Sequence, residues 1–314
     1  MKYYFAPMEG ITTFYFRKMH HKYFQGVDTY FTPFISPTMH GTFTPRERKD
    51  ILPENNVGVP TVPQILANNP EYFLEVTKEL RDYGYKEVNL NLGCPSNKVA
   101  NKHKGSGLLS EHLKLERFLD AIFEKSVLPI SVKTRIGRYE EEEWNYLLSL
   151  FNSYPIKELI VHPRVQKDYY KAPVHKELFL NTWQKSENPI CYNGDLYSMK
   201  DIEKWKNDCE TMDCFMLGRG LLTRPDMLTP ENQACMDTLP PLGNSKAFWD
   251  FHDELEEAYF EELGNNTLYK MKELWIYQEK SFENVDKQMK KIRKAKNKQE
   301  YDFAIKELKS IYFN

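Results

Sequence analysis

The chain has 314 residues, of which 41% are hydrophobic, 28% charged and 14% aromatic, and a formal net charge of −2; this is an ordinary globular composition that excludes a disordered or collagenous chain. Its five cysteines, Cys94, Cys191, Cys209, Cys214 and Cys235, are scattered and form no Cys-x-x-Cys pair, so neither a disulfide framework nor a zinc site is expected. No apolar run is long enough to span a bilayer and the first residues lack the pattern of a signal peptide, so no membrane partner and a cytoplasmic location are the expectation.

In chain order, β-rich runs recur near Tyr3 to Phe5, Thr29 to Phe34, Val62 to Leu66, Glu87 to Leu92, Ile130 to Lys133, Glu158 to Val161, Ile190 to Tyr192 and Cys214 to Leu217. Amphipathic stretches lie between them, most clearly Glu71 to Tyr83, Glu111 to Glu124, Glu140 to Phe151 and Met199 to Lys206. Strand and helix alternating in this way predict an α/β chain folded as a (β/α)8 barrel. The stretch Arg224 to Ser245 carries Pro225, Pro230, Pro240, Pro241 and Gly243, and strand-like text stops there. Apolar residues then recur at three-to-four spacing, with one interruption at Gly264-Asn265-Asn266, which predicts a small all-helical domain. The expected division is 1–235 for the barrel and 236–314 for the helices.

In such a barrel the chemistry sits where strands end and loops to the helices begin. Those ends carry Pro7-Met8-Glu9 after the first strand, Gln64 in the third, and Asn91 with Gly93-Cys94-Pro95 after the fourth. Lys133-Thr134-Arg135, His162-Pro163-Arg164, Asn193-Gly194-Asp195 and Gly218-Arg219-Gly220 mark the following ends. Glycines in the last two loops let backbone N–H groups approach a phosphate closely. The fingerprints of other cofactors, such as Gly-x-Gly-x-x-Gly after the first strand, are missing, which leaves a phosphate-bearing cofactor held by the barrel. Lys133 is placed to balance negative charge on a reduced flavin ring. Cys94 lies in a turn aimed at the mouth, where a thiol with a reference pKa of about 8.5 is mostly protonated at neutral pH and can act as a general acid toward carbon. Asn91 offers a donor and an acceptor that match the edge of a uracil.

Charge is segregated in the helical part: Asp250 to Glu262 holds seven acidic residues and no Lys or Arg, and Lys287 to Lys298 holds seven basic residues and no acidic one. Such runs are either solvated helix faces or an electrostatic footprint for nucleic acid.

Taken together, Ala6 to Thr12, Gln64, Leu90 to Ser96, Lys104 to Leu109, Val132 to Gly137, Val161 to Arg164, Asn193 to Asp195 and Leu217 to Gly220 resemble the tRNA-dihydrouridine synthase family, in the family's order and across almost the whole barrel. The resemblance implies FMN held by Pro7, Met8, Glu9, Gln64, Lys133, His162, Asn193, Gly194, Asp195, Gly218 and Arg219. It also implies Cys94 as catalytic proton donor, NADPH as reductant and tRNA as partner, and no metal is expected. Lys270 and Lys272, in a basic-aromatic helix segment, are expected to touch tRNA, as are Arg135 and Arg164 at the mouth; a monomer is the expected state. The alternatives are a barrel flavoenzyme acting on a small molecule and a non-catalytic RNA-binding protein on the same scaffold.

Overall fold

The computed structural model describes residues 1–37, 43–235 and 238–313. Among these residues nine strands form one parallel sheet: β1 Lys2–Phe5, β2 Thr29–Phe31, β3 Thr61–Val62, β4 Gln64–Ile65, β5 Val88–Leu92, β6 Ile130–Gly137, β7 Leu159–Val165, β8 Ile190–Asn193 and β9 Cys214–Leu217. Their spatial order is β3-β2-β1-β9-β8-β7-β6-β5-β4. The strand expected over 62–66 is therefore two short ones, because Pro63 between them has no N–H to give the ladder. β3 and β4 are successive pieces of one stave: β3 pairs with β2 and β4 with β5, so the sheet closes on itself. Ile35 bridges Ile65 at that seam, and Gln64 N–H donates to the Thr32 hydroxyl at 3.0 Å.

β6 runs to Gly137, beyond the expected Lys133, and pairs Arg135 with His162 of β7 before a register shift at Gly137. Periodicity underestimates this strand because Thr134 and Arg135 interrupt its apolar text before Ile136.

The outer helices form where their apolar spacing places them. Pro70–Asp82, His112–Lys125, Glu143–Asn152 and Met199–Asp208 occupy the four segments expected to be helical, within a few residues at each end. Asn69 and Ser198 cap two of them by accepting N–H groups of Tyr72 and Asp201, which satisfies amides that a first turn leaves without partners.

After the last strand the chain is helical: Lys246–Leu263, Thr267–Gln278, Asp286–Lys294 and Lys298–Tyr312. The first of these ends at Gly264, whose φ of 55° lies in the left-handed region that favours glycine. Phe251 of that helix packs against Phe16 of helix Phe14–Tyr23 and Phe24 just beyond its end, with ring centroids 5.7 and 5.3 Å apart. Inside the helical region, Trp275 Nε1 donates to the Tyr301 hydroxyl at 2.8 Å and His252 shares that oxygen. One apolar cluster runs from the barrel's helical layer into these helices, so the helical region is seated on the flank of the barrel. The expected division at 235/236 falls beside residues 236 and 237, outside the described residues. Among the described residues no helix is long and apolar enough to cross a membrane.

Candidate active site

The C-terminal ends of the strands open into a cleft lined by Pro7, Met8, Lys133, His162, Asn193, Gly194, Asp195, Gly218 and Arg219. All of these were singled out in the sequence, and they come from five strand ends. Gly220, one of the glycines expected beside a phosphate, also lines the cleft, as do Tyr170, Leu196, Tyr197 and Met216, which were not expected as cofactor residues. Tyr170 stands on the loop after β7; its ring stacks on His162 with centroids 5.9 Å apart and lies 4.6 Å from the Arg219 guanidinium. Nothing in its sequence surroundings marks that position.

Cation chemistry dominates the cleft. Asp195, with a φ of 44°, accepts from both terminal nitrogens of Arg164, and Arg219 donates to it at 2.7 Å. One carboxylate thus holds two guanidiniums. Arg164 is buried and also donates to His162 Nε2 at 3.0 Å and to the Ala172 carbonyl at 2.7 Å. Since a guanidinium can only donate, Nε2 is the acceptor and the His162 proton sits on Nδ1. Burial first, and then the charges of Arg135, Lys133, Arg164 and Arg219, hold the His162 pKa well below its ordinary value, so the imidazole is neutral. Burial and the neighbouring Arg135 push the Lys133 amine down to about 8.

Gly218 precedes the short helix Arg219–Thr223, whose first-turn N–H groups have no intrahelical acceptor. A Cβ on Gly220 would come 1.9 Å from the Leu196 carbonyl oxygen, so only glycine lets these two loops meet.

Cys94 is partly buried in the turn after β5. Its position is set by Asn91, whose Oδ1 accepts the N–H groups of Gly93 and Cys94, each at 3.0 Å. Asn91 in turn donates to Gln64 Oε1 at 2.7 Å, and Gln64 donates to Asn89 at 2.8 Å. Ser106 closes the turn from below by donating its hydroxyl to the Cys94 carbonyl at 2.7 Å. Burial, opposed by the Ser96 N–H and assisted by the charge of Glu9, raises the Cys94 pKa above its ordinary value.

Several expected residues stand away from the cleft lining. Gln64 is wholly buried in the amide chain beneath Cys94. Glu9 turns to the Arg46 guanidinium at 3.0 Å. Arg135 donates to the carbonyls of Gly93, Val165 and Tyr169 at 3.1, 2.9 and 2.8 Å, tying the Cys94 turn to the loop that carries Tyr170. In the helical region Lys270 donates to the Gly10 carbonyl at 2.6 Å and Lys272 to the Ala295 carbonyl. Within the basic run Lys291, Arg293 and Lys298 pair with Glu307, Glu279 and Glu256. Lys287, Lys290 and Lys294 are exposed and lie on one face of helix Asp286–Lys294 at three-to-four spacing.

Comparison with known proteins gives a consistent picture. The family model described as dihydrouridine synthase matches residues 4–310. A probable tRNA-dihydrouridine synthase of Staphylococcus aureus (strain MRSA252) is 30% identical over 269 residues, covering 82% of this chain and 80% of the relative. Probable tRNA-dihydrouridine synthase 2 of Bacillus subtilis (strain 168) is 28% identical over 266 residues, covering 81% and 79%. Among solved structures, histamine dehydrogenase from Rhizobium sp. 4-9 aligns with a TM-score of 0.54 at 11% identity over 87% of this chain and 49% of that one. Morphinone reductase aligns with a TM-score of 0.50 at 11% identity over 79% and 88%. At that identity the likeness is one of fold.

Proposed function

The chain belongs to the dihydrouridine synthase family and is an oxidoreductase that forms dihydrouridine in tRNA, and we propose that it works with bound FMN, with NADPH as reductant and with the Cys94 thiol as proton donor. What supports the proposal is the Asn91-held turn, which fixes a thiol that burial favours in its protonated form within reach of the charges of Lys133 and Arg135.

The residues present fit a phosphate-bearing anionic cofactor. Lys133 and Arg219 face the cleft, Asp195 is the carboxylate among its lining residues, and the first turn after Gly218 adds backbone donors. In this reading Gly194, Gly218 and Arg219 hold the phosphate, Asp195 and Arg164 fix the loops that present them, and Lys133 with neutral His162 faces the ring system. When bound, the flavin supplies the hydride that reduces C6 of the uracil.

The protein's own contribution is the proton. The raised pKa of Cys94 keeps its Sγ protonated at neutral pH, so the thiol can deliver that proton to C5 and leave a thiolate. Lys133 and Arg135 lie close enough for their charges to favour this thiolate, which lowers the cost of the transfer. A uracil stacked in RNA hides C5 and C6, so the target base must be drawn out into the mouth. We assign tRNA binding to the helical region 236–314, with Lys287, Lys290 and Lys294 toward phosphates. Lys270 and Lys272 position that region through their bonds to Gly10 and Ala295.

Cys94→Ala tests the assignment. It should keep bound flavin and tRNA affinity while losing about 10²- to 10⁴-fold in dihydrouridine formation, the usual worth of general acid catalysis. Turnover near that of the unmodified protein would remove Cys94 from the chemistry.

A further inference from the structure

Beneath the mouth, the barrel interior is filled mainly by apolar side chains, among them Ala6, Phe31, Ile160 and Met216, as expected for a packed barrel core. Its lower part departs from that pattern. A carboxylate oxygen of Glu158 and the sulfurs of Cys191 and Cys214 all lie within 4.8 Å of one another, and all three residues are buried. The Tyr4 hydroxyl donates to Glu158 Oε1 at 3.3 Å.

Topology explains the convergence. Glu158 immediately precedes β7, Cys191 lies in β8, Cys214 opens β9 and Tyr4 lies in β1, and these four strands are consecutive in the sheet. Tyr192 pairs with Phe215, so Cys191 and Cys214, one residue earlier on each strand, are neighbours on the same interior face.

A buried carboxylate is costly unless a cation or a full set of donors compensates it. Among the described residues no Lys or Arg forms an ion pair with Glu158. Its donors are neutral, namely the Tyr4 hydroxyl and the Cys214 thiol.

We propose that Glu158, Cys191 and Cys214 form a structural zinc site, with the Tyr4 hydroxyl fixing the carboxylate or completing the coordination. Two sulfurs and one carboxylate oxygen suit the borderline-soft, tetrahedral Zn²⁺; they do not suit Mg²⁺ or Ca²⁺, which take oxygen donors. On binding, each thiol forms a Zn–S bond and releases its proton to solvent, with no change of oxidation state. The filled site would tie three adjacent strands together at the foot of the barrel, where the charge of Lys133, assigned to the cofactor above it, reaches Cys191.

The test uses the full-length flavoprotein, dialysed against micromolar Zn²⁺ and then against a weak chelator. The expected results are one zinc retained per chain by elemental mass spectrometry and a zinc-edge X-ray absorption shell with two sulfurs at about 2.3 Å. Zinc addition should also release protons and raise the melting temperature. The double variant Cys191→Ser/Cys214→Ser should lose the zinc while keeping flavin absorbance, and Glu158→Gln, which keeps a hydrogen bond to Tyr4, should retain zinc more weakly. The proposal fails if the unmodified protein retains no zinc, if the double variant retains it equally, if the shell contains no sulfur, or if Cys191 and Cys214 are isolated as a disulfide. Should the double variant not fold, the absorption shell of the unmodified protein still decides.

Discussion

Asn91→Ala separates two roles that one side chain could fill. In the structure its Oδ1 is the acceptor for the Gly93 and Cys94 amides, and its Nδ2 supplies Gln64 Oε1 with a donor. Truncation strands both amides and the Gln64 carbonyl. A buried polar group left without a partner costs about 1–3 kcal/mol, but these contacts are only part-buried on the turn side and water can replace an acceptor there. The low end, about 2 kcal/mol in all, is the appropriate expectation. At about 2.1 cal/mol/K of unfolding entropy per residue, that corresponds to a melting-temperature drop of roughly 3 °C for a chain of 314 residues. The thiol is then free to wander, and a displacement of about 1 Å from a reacting atom costs on the order of 10²-fold in rate. The assays are thermal unfolding, bound-flavin absorbance and single-turnover reduction of tRNA. Lower melting temperature, retained flavin and kcat down about 10²-fold are expected together. A variant with unchanged melting temperature and kcat but a raised KM for tRNA would refute this reasoning and make Asn91 a uracil contact.

Further tests address other parts of the site. Lys133, with its pKa lowered to about 8, is cationic below that value and neutral above it, so affinity of the flavin-free protein for FMN should fall as pH rises past about 8; titrations at several pH values should show a much flatter profile for Lys133→Met. Gly220→Ala places a Cβ 1.9 Å from the Leu196 carbonyl, so the two phosphate-side loops must part, and the purified variant should show both lower flavin content and lower thermal stability; normal values of both would contradict the packing argument. Changing Lys287, Lys290 and Lys294 together to Ala should weaken tRNA binding and reduce the slope of log affinity against log salt by up to about 2–3, while flavin reduction by NADPH is unaffected. Identical salt slopes would assign this face to solvent.

Much of the architecture and the site was legible in the residue order. Alternating strand and helix text requires each apolar face to be buried against its neighbour, and that alone places Cys94, Lys133, His162, Asn193 and Gly218 at one end of a barrel. Chain-local chemistry marks the turn that carries the thiol and the glycines beside the last two strand ends. The lower interior was not legible. Cys191 and Cys214 sit in apolar text and read as core, and a whole helix separates each from the next strand in the sequence.

The destinations of individual side chains were decided by closure of the sheet. The same Arg135 and Arg164 that read as contacts to tRNA at the mouth are drawn inward by carbonyls of neighbouring loops and by Asp195, because a buried guanidinium must fill its donors. Glu9 turns to Arg46, a partner distant in sequence. Tyr170 enters the cleft from a loop with no periodicity. Sequence determines which residues occupy the strand ends, since hydrophobic period and turn chemistry are local. Only the tertiary structure decides which of them face each other, since strand register across the closed barrel sets every distance between residues far apart in the chain, Glu158, Cys191 and Cys214 among them.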